Sequence, residues 1–157
     1  MTKKNLFSLL KQFVIIISSG LIFYSCCTKV QCLNAFDMKE IKLTGFTKQE
    51  TEEILVSSYV QGEGFLNLVD SASTSARSRS GNDDGELIIF VPIDFSSKLD
   101  YIIRFKTDGL VYKINGINTT MKKCNTCFLT EDNYQVMTNY KINGQQQSKS
   151  YFELEKQ

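Results

Sequence analysis

The sequence has neither histidine nor tryptophan, and Pro92 is the one proline among its 157 residues. Histidine is the usual general base of nucleophilic triads and the commonest metal ligand, so its absence excludes Ser-His-Asp and Cys-His arrangements. No G-x-S-x-G, P-loop or dinucleotide-binding pattern occurs either. Because these signatures of catalysis and nucleotide binding are missing, we expect no cofactor and no metal.

The N-terminal segment has the composition of an export signal. Three lysines and no acidic residue stand in the first eleven positions, and the stretches 13–17 and 21–24 are apolar. A positive region followed by a short apolar region is typical of a signal peptide. A bilayer core needs about 20 predominantly apolar residues, and serine and glycine interrupt this segment. We therefore expect residues 1–25 to form a cleaved signal helix.

The apolar segment ends at a small residue and a cysteine. Phe23-Tyr24-Ser25-Cys26 resembles the lipobox of bacterial lipoprotein precursors, although its aromatic residues differ from the usual Leu and Ala or Ser. The resemblance implies cleavage between Ser25 and Cys26 and a thioether-linked diacylglycerol on Cys26. Two or three acyl chains bind a membrane durably, whereas one binds it marginally. The alternatives are an ordinary secretory signal with incidental cysteines and a short uncleaved anchor.

The chain also resembles small Bacteroidetes lipoproteins in style, with a C-x-x-C before a late tyrosine-rich strand. Residues 26–37 lack periodicity and are expected to form a lipidated tether. Residues 27–31 lack the acidic cluster that those bacteria use for surface export, which favours anchorage in the outer membrane, facing the periplasm. Without residues 1–25 the chain has 15 basic and 17 acidic residues, a formal charge of −2. This charge gives no indication of a nucleic-acid partner.

The other cysteines are candidates for a disulfide. If Cys26 carries lipid, Cys27, Cys32, Cys124 and Cys127 remain, an even number that suits an oxidising periplasm. Cys124 and Cys127 have the C-x-x-C spacing of redox motifs and of half a zinc site, but they follow a polar stretch without a βαβ pattern. We favour a disulfide. Cys124 with Cys127, and Cys32 with either of them, are the pairings that the sequence leaves open.

Residues 38–157 have the pattern of a single β-domain. Ile41 and Leu43 alternate with polar residues, which predicts a half-buried strand. Thr47 and Glu50 have the spacing of a helix capping box, but the β-rich cluster that follows favours a polar turn and a strand over about 53–60. Another short strand is expected over 65–69.

The second half gives clearer strand signals. Residues 86–94 predict a well-buried strand, and Pro92 indicates that its end lies at a sheet edge or a bulge. Residues 101–106 and 110–114 alternate on either side of Asp108-Gly109, which predicts a hairpin. A second hairpin is expected to join 134–142 to 151–154. About seven or eight strands without convincing helix predict an all-β antiparallel sandwich, Ig-like or transthyretin-like.

Residues 71–85 contain no large apolar side chain and predict an exposed, mobile loop. Asp70-Ser71-Ala72 is similar to the short O-glycosylation motif of Bacteroidetes envelope proteins, which implies Ser71 as a candidate glycosylation site. Three residues are a short motif, so this expectation rests on the resemblance alone.

Chemistry-bearing side chains are few. The acidic pairs Glu52-Glu53, Asp83-Asp84 and Glu131-Asp132 are interpreted as surface charge, and the strand tyrosines as core and rim rather than as a platform for sugar or peptide. We expect a membrane-anchored envelope lipoprotein that serves as a non-catalytic binding or accessory module for a protein or glycan partner. The alternative is an envelope hydrolase using carboxylates, or a thiol-redox protein using Cys124 and Cys127.

Overall fold

The computed structural model describes residues 32, 34, 39–79, 86–126 and 131–156, without the side chains of 125, 126 and 131. The signal segment 1–25, Cys26, Cys27 and Cys127 lie outside these residues, as do positions 80–85.

The described chain is an all-β sandwich, as the sequence predicts. It contains ten strands and one 3₁₀ turn, Gln49–Thr51. The strands are β1 (Glu40–Thr44), β2 (Ile54–Val60), β3 (Leu68–Thr74), β4 (Ala76–Ser78), β5 (Leu87–Phe90), β6 (Leu99–Phe105), β7 (Val111–Thr126), β8 (Glu131–Ile142), β9 (Gln145–Gln147) and β10 (Phe152–Glu155). A four-stranded sheet has the order β10-β1-β5-β4, and a six-stranded sheet has the order β3-β2-β6-β7-β8-β9.

Strand β1 lies inside the four-stranded sheet, parallel to β10 and antiparallel to β5. Ile41 pairs with Phe152 on one side and with Ile89 on the other, and all three are buried. Successive side chains of a strand point to opposite faces, so this alternation places one apolar face of the sheet in the core.

The hairpin of β6 and β7 is confirmed in the six-stranded sheet. Tyr101 pairs with Ile114 and Ile103 with Tyr112, in antiparallel register. The turn needs a left-handed residue, and Gly109 supplies it with φ of +75°. Its N–H donates to the carbonyl of Phe105 at 3.0 Å.

The core contains apolar side chains from both sheets. Ile41, Ile89 and Leu154 come from the four-stranded sheet, and Ile54 and Ile103 from the six-stranded sheet; all are fully buried. Aromatic rings add edge and stacked contacts with centroids 4.6–6.1 Å apart. Burial of each large apolar side chain contributes about 1.5–3 kcal/mol. This packing belongs to a compact unit of Leu33–Met121 with Gln135–Gln157.

The ambiguous segment before β2 is a turn followed by a strand, as favoured. Both capping-box hydrogen bonds are present: Thr47 N–H donates to Glu50 Oε2 at 2.9 Å, and Glu50 N–H donates to Thr47 Oγ1 at 3.4 Å. They close only the short 3₁₀ turn, because the chain from Ile54 onward is a strand that pairs with β3 on one side and β6 on the other.

The prediction of a mobile loop over 71–85 is wrong for its first half. Ser71 to Thr74 belong to β3, which pairs with β2, and Ala76–Ser78 form β4, which pairs with β5. Except for Arg77 their side chains are small, and none of them is buried. Backbone hydrogen bonds to buried neighbouring strands therefore order this segment, and the side-chain composition did not reveal them.

The predicted partner of residues 134–142 is also wrong. Asn143 and Gly144 both have positive φ, +48° and +85°, so they form a two-residue turn that pairs β8 directly with β9. Strand β10 instead joins β1 in the other sheet, where Phe152 and Leu154 enter the core. Cys124, which was expected in a polar loop, lies within β7.

Candidate functional site

A groove opens at one edge of the sandwich, with a volume of about 330 Å³. We call it the β9–β10 groove, because those strands and the segments around them supply most of its lining. Its lining residues are Tyr112, Ile142, Gln145, Gln147, Lys149, Glu153, Glu155 and Lys156. The volume lies at the lower end of the range for small-molecule sites, about 300–1,000 Å³.

Two glutamine side chains provide free hydrogen-bonding groups in the β9–β10 groove. Gln145 and Gln147 line it, whereas Gln146 does not, because alternate residues of a strand face opposite ways. Within the described chain, neither amide has a hydrogen-bond partner. Each amide carries donors and an acceptor, so both can bind a polar ligand from neighbouring positions.

Both lysines that line the groove are held in ion pairs. Lys149 forms an ion pair with Glu153, and Lys156 forms one with Glu50 at the 3₁₀ turn. The hydrogen bond from Lys156 lowers the pKa of Glu50 to about 2, with further help from Thr47. The hydrogen bond from Lys149 lowers the pKa of Glu153. Both acids are therefore ionised at neutral pH, and the two ion pairs balance the charges of both lysines. Glu155 is the lining carboxylate that remains outside these two pairs.

Buried tyrosines close the strand edge next to the groove. The Tyr140 hydroxyl donates to the carbonyl of Tyr151 at 2.9 Å and accepts the N–H of Glu153 at 3.3 Å. The Tyr112 hydroxyl donates to the carbonyl of Glu155 at 2.9 Å. These hydroxyls satisfy backbone groups along β10, and burial raises the pKa of Tyr140. The interpretation of these tyrosines as core, rather than as an outward platform, fits their burial.

The two cysteines that the structure describes form one of the bonds that the sequence left open. Cys32 is disulfide-bonded to Cys124 across 92 positions, with Cα atoms 5.9 Å apart. Cys32 and Lys122–Tyr134 belong to a second compact unit. Cys124 is therefore not available to pair with Cys127, as the thiol-redox interpretation requires.

Ser71 lies at the opposite edge of the six-stranded sheet from β9. It is exposed on β3, with its hydroxyl 3.0 Å from that of Ser57. Of the acidic pairs, Glu52-Glu53 is the one whose two side chains are described: Glu53 pairs with Lys106, and Glu52 is exposed. Asp83, Asp84 and the side chain of Glu131 lie outside the described part. Among residues that the structure describes, no three His, Cys, Asp or Glu side chains are placed to hold a metal. Nor does the described portion include a helix long and apolar enough to cross a bilayer.

Sequence reasoning missed the β9–β10 groove. The run Gln145-Gln146-Gln147 directly after an Asn-Gly turn was the available signal, since amides beside a tight turn lie at the end of a hairpin. The lysines and glutamates that complete the lining lie beyond it in the sequence and join it only through the pairing of β10 with β1.

No protein-family model matches this chain, and comparisons with curated proteins and with solved structures find no match.

Proposed function

We propose that this protein is a lipid-anchored envelope lipoprotein whose sandwich binds a neutral polar ligand in the β9–β10 groove. The observation that carries the binding proposal is the pair of unpartnered amides, Gln145 and Gln147, beside lysines whose charges are balanced by ion pairs. An amide pair suits hydroxyl groups, which both donate and accept hydrogen bonds. The ligand class that this lining fits best is a short uncharged saccharide.

The anchor is proposed from the sequence. The lipobox-like residues Phe23 to Cys26 follow a signal-like segment and support lipidation of Cys26. A diacylglycerol with a third acyl chain gives durable membrane binding. The absence of acidic residues at positions 27–31 favours an outer-membrane anchor facing the periplasm. In this proposal the membrane is one partner and the saccharide is the other.

A non-catalytic role is favoured over a carboxylate hydrolase. Glycoside hydrolysis needs one carboxylic acid whose pKa is raised, so that it can protonate the leaving group. Glu153, which lines the groove, has a lowered pKa because Lys149 donates a hydrogen bond to it, and Glu50 outside the lining has a lowered pKa because Lys156 donates to it. Neither acid is therefore a proton donor at neutral pH.

Replacing Cys26 by Ala tests the anchor. We expect the variant to leave the membrane fraction and to lose labelling by a radioactive or alkyne fatty acid, while Cys27→Ala keeps both. A variant that keeps both membrane association and acyl label would contradict lipidation at Cys26.

Single amide substitutions test the groove. We expect a panel of neutral oligosaccharides to contain a ligand for the purified protein. Gln145→Ala and Gln147→Ala should each weaken its binding about fivefold, since one hydrogen bond contributes about 1 kcal/mol. Gln146→Ala is the matched control, because its side chain lies outside the groove lining. Equal weakening by all three variants, or saccharide binding that none of them changes, would refute the groove as the site.

A further inference from the structure

The sandwich has four edge strands in its described part, and they differ in how they are protected. β4 and β9 have three residues each, which is too short for a stable additional pairing. Hydroxyls of Tyr112 and Tyr140 already occupy backbone groups of β10. β3 is the exception, because it has seven residues and pairs only with β2.

Strand β3 also has only part of the usual protection of an edge, one charge and one bulge, and it carries neither lysine nor proline. Natural edges carry lysine or proline, or are covered, because an open row of backbone groups recruits further strands. The sequence of β3 is Leu-Val-Asp-Ser-Ala-Ser-Thr, with Asp70 as its single charge and a bulge near its start. From Leu68 to Ser71 every residue is exposed.

Apolar side chains collect beside this edge. Four large ones are exposed in the β2–β3 hairpin: Leu66 (83%), Leu68 (58%), Val69 (54%) and Val60 (38%). The hairpin loop is held in place by Asp100, whose Oδ2 accepts the Gly62 N–H at 3.0 Å. Phe65 packs edge-on against Tyr59 with centroids 5.7 Å apart. The apolar surface is thus presented on an ordered loop.

We propose that β3 pairs with the β3 strand of a second copy of this chain, antiparallel about a two-fold axis at Ser71. This joins the two six-stranded sheets into one continuous sheet. In this register Asp70 lies opposite Ala72 of the other copy and Leu68 lies opposite Thr74. Like charges therefore do not meet, and small side chains occupy the crossing.

Charge complementarity supports a second copy as the occupant. Exposed Glu63 precedes β3 and exposed Arg77 follows it. Antiparallel pairing brings the start of one strand to the end of the other, so opposite charges lie at both ends of the interface. The proposal does not depend on lipidation or on the β9–β10 groove.

Cysteine cross-linking of the full-length protein in detergent tests both the dimer and its register. Residues opposite each other in an antiparallel pair have Cα atoms about 4.5–5.5 Å apart, within the range of a disulfide. Ser71→Cys meets itself across the axis, so mild oxidation should give about tenfold more covalent dimer than Ser148→Cys, an exposed control. Ser73→Cys alone should not link, because its copy lies four residues further along, roughly 14 Å away.

A mixture of Val69→Cys and Ser73→Cys proteins should link, since these positions are opposite each other in the proposed register. Sedimentation of the protein without added cysteines supplies a measurement independent of oxidation. It should show a dimer that Ser73→Lys converts to a folded monomer. A protein that is monomeric at every concentration, or Ser148→Cys linking as well as Ser71→Cys, overturns the proposal. Linking of Ser73→Cys to itself overturns the register.

Discussion

Breaking the Cys32–Cys124 bond should lower the free energy of unfolding by about 4.6 kcal/mol. The bond joins residues 92 positions apart. In the chain-entropy model the loss grows with the logarithm of the closed loop, and a loop of this length gives about 15.6 cal/mol/K, or about 4.6 kcal/mol at 25 °C. Cys32→Ser removes the constraint from the unfolded chain, so stability falls even where contacts of the folded chain are unchanged.

Urea unfolding of the non-lipidated protein measures this change. With a slope of about 2 kcal/mol/M, the midpoint of Cys32→Ser should lie about 2.3 M below that of the parent. Cys124→Ser should match it, and the double variant should lose no more, because either change breaks the same bond. Ser148→Ala, at an exposed position, is the control and should keep the parent midpoint. A large fall of the midpoint in Cys127→Ser with none in Cys124→Ser would refute the pairing. A shift under 0.5 M in Cys32→Ser (roughly 1 kcal/mol) would refute the loop-entropy calculation.

Three further changes test the packing, the groove and the turn. Tyr140→Phe removes the hydroxyl that is hydrogen-bonded to β10 and should lower the free energy of unfolding by about 1–2 kcal/mol, measured by thermal unfolding. The hydroxyl of Tyr59 has no partner in the described chain, so Tyr59→Phe should lower it by only a few tenths of a kcal/mol. Equal losses would contradict the edge-closing role of Tyr140. The lowered pKa of Glu50 stabilises the fold above about pH 4.5, and this stabilisation is lost as pH falls towards 2. Glu50→Gln should therefore flatten the decline of the unfolding midpoint between pH 5 and 2. The control Glu52→Gln should follow the parent. Parallel curves for all three proteins would refute the ion pair's contribution. Gly144→Ala should lower the free energy of unfolding by about 1 kcal/mol and speed hydrogen exchange in the β8–β9 hairpin, because a φ of +85° is strained for any residue with a side chain. A steric clash does not contribute, since no atom lies within 4 Å of the added Cβ. Unchanged stability and exchange would contradict the strained turn.

The tyrosines show how one composition supports two structures. A tyrosine-rich set of strands permits either an outward aromatic platform or a core with polar ends. The structure buries Tyr101, Tyr112 and Tyr140 and directs each hydroxyl to backbone groups. For Tyr101, burial raises the pKa to about 12, and its hydroxyl accepts the Ser96 N–H at 2.6 Å. Core placement therefore serves packing and backbone satisfaction together.

Local signals accounted for the elements that the sequence predicted well. The Asp108-Gly109 turn and the alternation on either side of it define the β6–β7 hairpin, because register in a hairpin depends on neighbouring residues. Strand β2 was predicted from its cluster of β-branched and apolar residues. The segment 71–79 was missed because its strands are ordered by backbone pairing, which leaves no hydrophobic pattern to read.

The sequence alone determined the β-rich character of the domain, the β6–β7 hairpin and the lipobox-like signal, since each depends on residues within a few positions of one another. Only the tertiary structure decided that β10 pairs with β1, that Cys32 bonds Cys124, and that two glutamines and the ion-paired lysines line one groove. These features join segments as many as 109 positions apart, such as Thr44 and Glu153, whose side chains are hydrogen-bonded at 2.9 Å. Contacts between residues so far apart in the sequence depend on how the apolar faces of the two sheets pack together, and a local sequence pattern does not predict that packing.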